Sequence, residues 1–254
     1  MFHIVDNVIE NGSGVHIGAR ESFSLLLGYV IENKKLLGLE AVYVMPCDQD
    51  DIWVEEKIAV TMQRMQAMEA EDSNLPILVH SDLTVVSADN EEISSSYMSY
   101  QGLNAKRNTL GPLLLSNTVT GCTALLNEAL VRQCIPVSPE AIMHDWWLAL
   151  VASAFGRISY IESALVLYRQ HGTNAVGAKE YIKTKLTPAR VIRRVFNRKR
   201  NPMLYDVSKQ ALAFRQVYGE QLGFKQKCLL TMAQALASNN GLIQSCVYRL
   251  LKLA

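Results

Sequence analysis

The sequence predicts a mixed α/β body followed by a basic helical tail, and three observations carry that expectation. Short runs of β-forming residues alternate with helical periods up to about residue 170. From Lys179 onward only helical periods occur. The charge splits along the same line: residues 1–100 carry 17 acids and 5 bases, whereas residues 179–254 carry 3 acids and 15 bases. A body of residues 1–178 and a tail of 179–254 are therefore expected.

Each element has its own signal. Ser22 to Glu32 reads as a helix, with Phe23, Leu26, Leu27 and Val30 recurring at three and four residues. Ala41 to Met45 is a short apolar strand that ends in the acidic cluster Asp48-Gln49-Asp50-Asp51. Ile52 to Met68 reads as a helix whose inner face holds Trp53, Ile58 and Met62, and Asp51 can cap it. Ile77 to Val86 is a strand with a polar interruption, His80-Ser81-Asp82. Gly111 to Thr123 is irregular and Ala124 to Gln133 helical. Met143 to Phe155 is a buried helix opened by His144-Asp145, and Arg157 to Tyr168 is a strand.

Composition narrows the function classes. With 254 residues, 49% of them hydrophobic, the chain is long enough for a sizeable core. No apolar run reaches the ~18 residues of a spanning helix, and the start has neither the basic nor the apolar part of a signal peptide. The five cysteines are widely spread and never paired as C-x-x-C, the pattern of reduced thiols in a cytoplasmic chain. Most of the basic excess lies between Lys179 and Arg200. There TPARVIRRVFNRKR sets Val191, Ile192, Val195 and Phe196 on one stripe among arginines. Such a helix (residues 186–200) can lie on an anionic membrane surface, bind nucleic acid or pack on its own body. Nothing resembling a nucleic-acid module accompanies it, so no nucleic acid is expected.

The chemistry-bearing cluster is Asp48-Gln49-Asp50-Asp51. Crowded carboxylates at the end of an apolar strand repel one another, and a divalent cation offsets that repulsion. Oxygen ligands suit Mg²⁺ or Mn²⁺. On a strand, Asp48 and Asp50 share one face. A solvated loop is the alternative.

CDQDDIWVEEKI (47–58) resembles the DQDDIW…KI segment of bacterial family 2 glycosyltransferases, in particular their rhamnosyltransferase-like branch. HSDLTVV (80–86), NTVTGCTALLNEAL (117–130), MHDWWLALVASAFG (143–156) and YRQHGTNAVG (168–177) extend the resemblance in order, over roughly residues 40 to 178. It implies a GT-A-like mixed sheet flanked by helices. Asp50 would hold the metal directly, and Asp48 would lie near the ribose or the donor sugar. Gln49 belongs to the same donor-binding motif. Asp145 matches the base that deprotonates the acceptor hydroxyl, and His171 matches a further metal ligand or diphosphate contact. Gly121 and Thr123 would belong to a loop under donor and acceptor, with Trp146 or Trp147 bordering the sugar. His80 and Asp82 would touch the acceptor or merely end a strand, and Cys122 would be a packing residue.

The implied reaction moves a sugar from a nucleotide-sugar donor, dTDP-L-rhamnose first and a UDP-hexose next. The acceptor would be a surface polysaccharide or a lipid-linked glycan. Members of the family begin with a strand, helix and strand that bear Thr-Tyr-Asn and Asp-Asp-Gly-Ser type motifs. Neither motif precedes Asp48, so the expectation is a GT-A-like domain truncated at its N-terminus. The alternative is an inactive remnant or partner subunit that binds acceptor or membrane.

Overall fold

The computed structural model describes residues 17–170 and 202–254. Helix α1 (Ala19–Glu32) leads to the short strands β1 (Tyr43–Val44) and β2 (Ile52–Trp53) and helix α2 (Lys57–Glu69). Strands β3 (Ile77–Val86) and β4 (Glu92–Ser94) follow, then short helices α3 (Tyr97–Tyr100) and α4 (Leu110–Leu115). A 3-10 turn at Gly121–Thr123 opens onto β5 (Leu125–Asn127), α5 (Glu128–Cys134), α6 (His144–Phe155) and β6 (Arg157–Arg169). Helices α7 (Pro202–Tyr218), α8 (Phe224–Gln234) and α9 (Gly241–Leu253) complete the described chain.

The strands form one mixed sheet in the order β1-β5-β3-β6-β2, with β4 paired to the end of β3. β3 and β6 run parallel; the other pairs are antiparallel. The β3–β6 register slips after Ser81 and again after Asp82, so the sheet bends there. β3 is buried along nearly its whole length, because elements cover both of its faces. Leu78 joins the large helical core, while Ile77 and Val79 pack with Met65 of α2 on the opposite face. Gly156, between α6 and β6, comes so close to Pro76 that a Cβ would sit 1.7 Å from the Pro76 carbonyl oxygen. Only glycine permits that approach.

Asn127 ties the centre together. Its Oδ1 accepts from the Ile77 N–H at 2.9 Å and from the Leu130 N–H at 3.0 Å, which caps α5. Its Nδ2 donates to the Leu75 carbonyl at 2.9 Å and to Glu69 at 3.2 Å. One buried amide thus joins α2, β3, β5 and α5 with donors and acceptors all engaged.

The main core lies between the sheet and the helices. Apart from Asp145, every residue of α6 from His144 to Ala152 is buried. Trp147 is fully buried, its ring centroid 5.2 Å from Phe214 and 6.0 Å from Tyr218, both on α7. Aromatic pairs at such separations add to the area they bury. Leu230 of α8 and Leu251 of α9 belong to the same core, so α7–α9 share it with the sheet. No helix among the described residues is long and apolar enough to cross a membrane.

Several elements differ from expectation. Ile52 and Trp53 pair with β6 as a strand, and α2 begins only at Lys57. Its inner face is Lys57, Thr61 and Met65, while Ile58 is 55% exposed. Met62, expected on the inner face, is half-buried against the cluster that holds Met65, so Ile58 is the expected inner residue of α2 that turns outward, while the charged Lys57 takes a buried place. Ala124 to Gln133 is a strand followed by a helix, split at the Asn127 cap. Helix α4 takes up Gly111 to Leu115 of the stretch expected to be irregular, starting one residue before it. Of the apolar positions assigned to α1, only Leu27 is buried; Leu26 is exposed and Phe23 stacks on His144. The basic segment 186–200 and His171 lie outside the described residues.

Candidate functional site

Three parts of the chain meet at one end of the sheet. The first is the segment after β1. The expected extended Asp48-Gln49-Asp50 is not a strand: Gln49 and Asp50 form a turn. The two-residue period therefore does not hold there. The group that converges is Asp48, Asp51 and Cys122, with ligand atoms within 4.8 Å of one another. Asp50 is outside that group, although its charge raises the pKa of both Asp48 and Asp51.

Burial dominates the electrostatics. It pushes the Asp51 carboxyl up to about 6, with the Asp48 charge adding to the rise and the Cys122 thiol opposing it. Asp48 is raised by burial and then by Asp50. Desolvation disfavours the ionised form of each. The Asp51 Oδ2 is buried with no hydrogen-bond partner among the described residues, which leaves acceptor capacity on this carboxylate. Burial also drives the Cys122 thiol well above its ordinary value, followed by the Asp51 charge, so the sulfur stays protonated at neutral pH.

Lys57 supplies the cation that faces this cluster. Its side chain is fully buried, with Nζ 3.1 Å from the centroid of the Trp53 ring and no hydrogen-bond partner among the described residues. Burial lowers its pKa to about 8, against the opposing pull of Cys122, Cys47 and Asp51. The short strand β2 places Trp53 over the first turn of α2 and so positions this cation–π contact.

The second part is the loop 117–123. The Asn117 Nδ2 donates to the Asp145 Oδ1 at 3.0 Å, and the Gly121 N–H donates to Oδ2 at 3.0 Å. A Cβ on Gly121 would lie 2.9 Å from the His144 Nε2, so the 3-10 turn fits against α6 only with glycine. Thr123 donates its hydroxyl to the Thr120 carbonyl and is buried; it closes the turn.

The third part is the first turn of α6, which carries His144 and Asp145. Burial pushes the Asp145 carboxyl up to about 6, and hydrogen bonds from the Gly121 and Trp146 N–H groups hold it from rising further. The Asp48 charge contributes to that rise, and the Asp145 charge in turn contributes to the rise of Tyr97, so Asp145 is coupled to both. His144 is stacked on Phe23 at 4.1 Å, with neither ring nitrogen hydrogen-bonded. Burial lowers its pKa to about 4, so it is neutral at pH 7.

Of the sequence-predicted residues, Asp48, Gly121 and Asp145 come together here. Gln49 is exposed in the turn. Trp146 and Trp147 do not border the site. Trp146 is buried and donates its Nε1–H to the Leu113 carbonyl at 2.6 Å, and Trp147 is enclosed by α7. An all-round buried helix accommodates both, which a one-faced helix cannot. His80 and Asp82 are buried within β3. Asp82 accepts from the Leu83 N–H, the Met98 N–H and the Ser96 hydroxyl, so it orders the chain around α3.

The sequence alone counts Asp51 among the crowded carboxylates, with a helix cap as its alternative role, and gives Lys57, Asn117 and His144 no chemistry. For Lys57 a signal exists: it lies four and eight residues before Thr61 and Met65, on the buried stripe.

The donor set fits a hard divalent cation through Asp48 and Asp51, two carboxylates of which Asp51 keeps one oxygen unpartnered among the described residues. The protonated Cys122 is a poor third ligand for such an ion. No protein-family model, no curated protein and no solved structure matches this chain.

Proposed function

We propose that this chain is a metal-dependent inverting glycosyltransferase of GT-A type. Its reaction moves a sugar from a nucleotide-sugar donor to a hydroxyl of a glycan or lipid-linked acceptor. The observation that carries the reading is Asp145: a carboxylate with its pKa raised to about 6, held by Gly121 and Asn117 beside the Asp48/Asp51 cluster. The motif resemblance over residues 40–178 favours dTDP-L-rhamnose as donor, with a UDP-hexose next. It also favours a cytoplasmic chain at the inner face of the membrane.

The chemistry follows from these residues. Asp48 and Asp51 would hold Mg²⁺ or Mn²⁺, which as a Lewis acid offsets charge on a departing diphosphate. Asp145 takes the proton of the attacking acceptor hydroxyl at one carboxylate oxygen. A pKa near 6 leaves it ionised at neutral pH and basic enough for that task. The Gly121 N–H and the Asn117 amide fix the carboxylate in place and stay bonded to it throughout. Attack from the face opposite the leaving group inverts the anomeric carbon, and no protein nucleophile is needed.

Melting the purified chain with Mn²⁺ and each of dTDP, UDP and GDP tests this reading. A ligand present at 100 times its dissociation constant stabilises the fold by about 2.7 kcal/mol. A metal-dependent rise in Tm with one nucleotide is the expected result and names the donor class. A cooperative melt that no nucleotide shifts would overturn the transferase reading in favour of a binding subunit without catalysis.

A further inference from the structure

A cavity of about 140 Å³ lies between the 102–118 stretch and helix α9, and its lining shares no residue with the acidic cluster. Two cations, Arg107 and Lys252, line it together with Asn104, Ser116, Thr118 and Tyr248. Among the described residues, no acidic one lines it. Among the described residues, neither cation has a carboxylate within ion-pair distance. Thr118 is only 6% exposed, yet its Oγ1 has no hydrogen-bond partner among the described residues. A buried hydroxyl left unsatisfied is destabilising, so a polar ligand is the natural complement. Leu103, Pro112 and Leu115 form an apolar wall.

We propose that this cavity binds the phosphate group of a phosphate monoester. Charge decides the class. A phosphomonoester carries about −1.5 to −2 at pH 7, which two cations balance, whereas a carboxylate carries only one charge. The planar Arg107 guanidinium suits bidentate contact with phosphate oxygens, and Lys252 acts as a point charge. The Thr118 hydroxyl donates to a further oxygen, and the organic part of the ester rests on the apolar wall. The volume holds several waters' worth of space, ample for a phosphate group. The site is distinct from the Asp48/Asp51 cluster, and its occupancy does not depend on the transferase reading. Position links the two nonetheless: Thr118 follows Asn117, whose amide holds Asp145.

Calorimetric titration of the full chain without metal or sugar nucleotide tests the proposal, with inorganic phosphate and dihexanoyl phosphatidic acid as probes. The wild type is expected to bind phosphate, and Arg107→Gln/Lys252→Gln to bind at least about tenfold more weakly, since hydrogen bonds to charged groups are the strong ones. Thr118→Val weakens binding further. Arg249→Gln, which removes a charge from α9 outside the cavity lining, leaves it unchanged. Both cations are exposed, so the double variant keeps the wild-type Tm. Tighter binding of the phosphatidic acid than of inorganic phosphate assigns the site to a lipid headgroup, and equal binding assigns it to soluble phosphate. Absence of binding of either probe to the folded wild type overturns the proposal. So does equal affinity in the double variant.

Discussion

The sheet end that carries Asp48, Asp51 and Asp145 and the helical layer of α6–α9 are built to different standards. In the helical layer, Trp147, Phe155, Phe214 and Tyr218 pack ring against ring, with centroids 4.7–6.5 Å apart. The polar atoms left without partners there are neutral: the Trp147 indole and the Gln210 and Gln234 amides. At the sheet end, and along β3 beside it, the orphans among the described residues include the ionisable Asp51, Lys57, His80 and His144, next to the neutral Trp53 indole and Thr118 hydroxyl. Orphaned buried groups cost more than the average hydrogen bond returns. A fold that gathers them in one place trades stability for chemistry, and the closely packed helices behind supply the stability.

That contrast breaks most sharply at Asp145. Asp145→Asn removes the base while keeping size and the Gly121 hydrogen bond. Transfer is expected to fall by ~10²–10⁴-fold, with the metal-dependent nucleotide shift in Tm retained. Transfer at the wild-type rate would remove Asp145 from the mechanism. On pH, Asp145 is protonated below about 6, so wild-type rates fall as pH drops through that value. A rate profile flat between pH 7 and 5 would contradict the assignment.

Trp147→Ala inverts the experiment. It leaves Asp48, Asp51 and Asp145 untouched and is expected to cost about 3–5 kcal/mol in denaturant titration. A loss below about 1 kcal/mol would mean that α7 does not close over α6. Between these extremes lies Gly121→Ala, at the seam of the two regions. Its methyl meets the His144 Nε2 at 2.9 Å, so about 1–3 kcal/mol of overpacking is expected together with slower transfer. An unchanged Tm and rate would show that the turn yields freely.

The smallest signal is a slope rather than a step. Lys57 has a pKa lowered to about 8 in the folded chain and an ordinary one near 10.5 when unfolded. Between those values the unfolded chain binds the extra proton, so wild-type stability rises with pH. Lys57→Met lacks that rise, and its advantage over the wild type at pH 7 narrows by pH 10. Parallel stability curves for the two chains would show that the Lys57 ammonium is not desolvated.

Legibility in the sequence follows the same division. β3, β6 and α6 are readable to within a residue or two, because long apolar runs with β-branched or helical character leave few alternatives. The site is less readable. Asp145 stands out through its sequence block, but Asp51 takes the place expected of Asp50 because a turn, not a strand, follows Cys47. Lys57 is hidden because a charged residue is not counted as core, although burial against Trp53 makes it one. β5 is hidden because three residues cannot establish a period, and only the Asn127 cap marks its end.

Asn127 also bears on how fast this chain reaches its fold. Its bonds reach Ile77, 50 residues away, and Leu75, 52 residues away, so neither forms until a long loop has closed. Closure entropy is paid before that amide returns anything. The centre of the sheet therefore belongs to the slow, non-local part of folding, and the helices can form ahead of it. Asn127→Asp keeps the two accepted bonds and loses the two donated ones. It separates the stability held by the amide from the speed it sets: unfolding accelerates, while early helix formation, followed by stopped-flow circular dichroism, is unchanged.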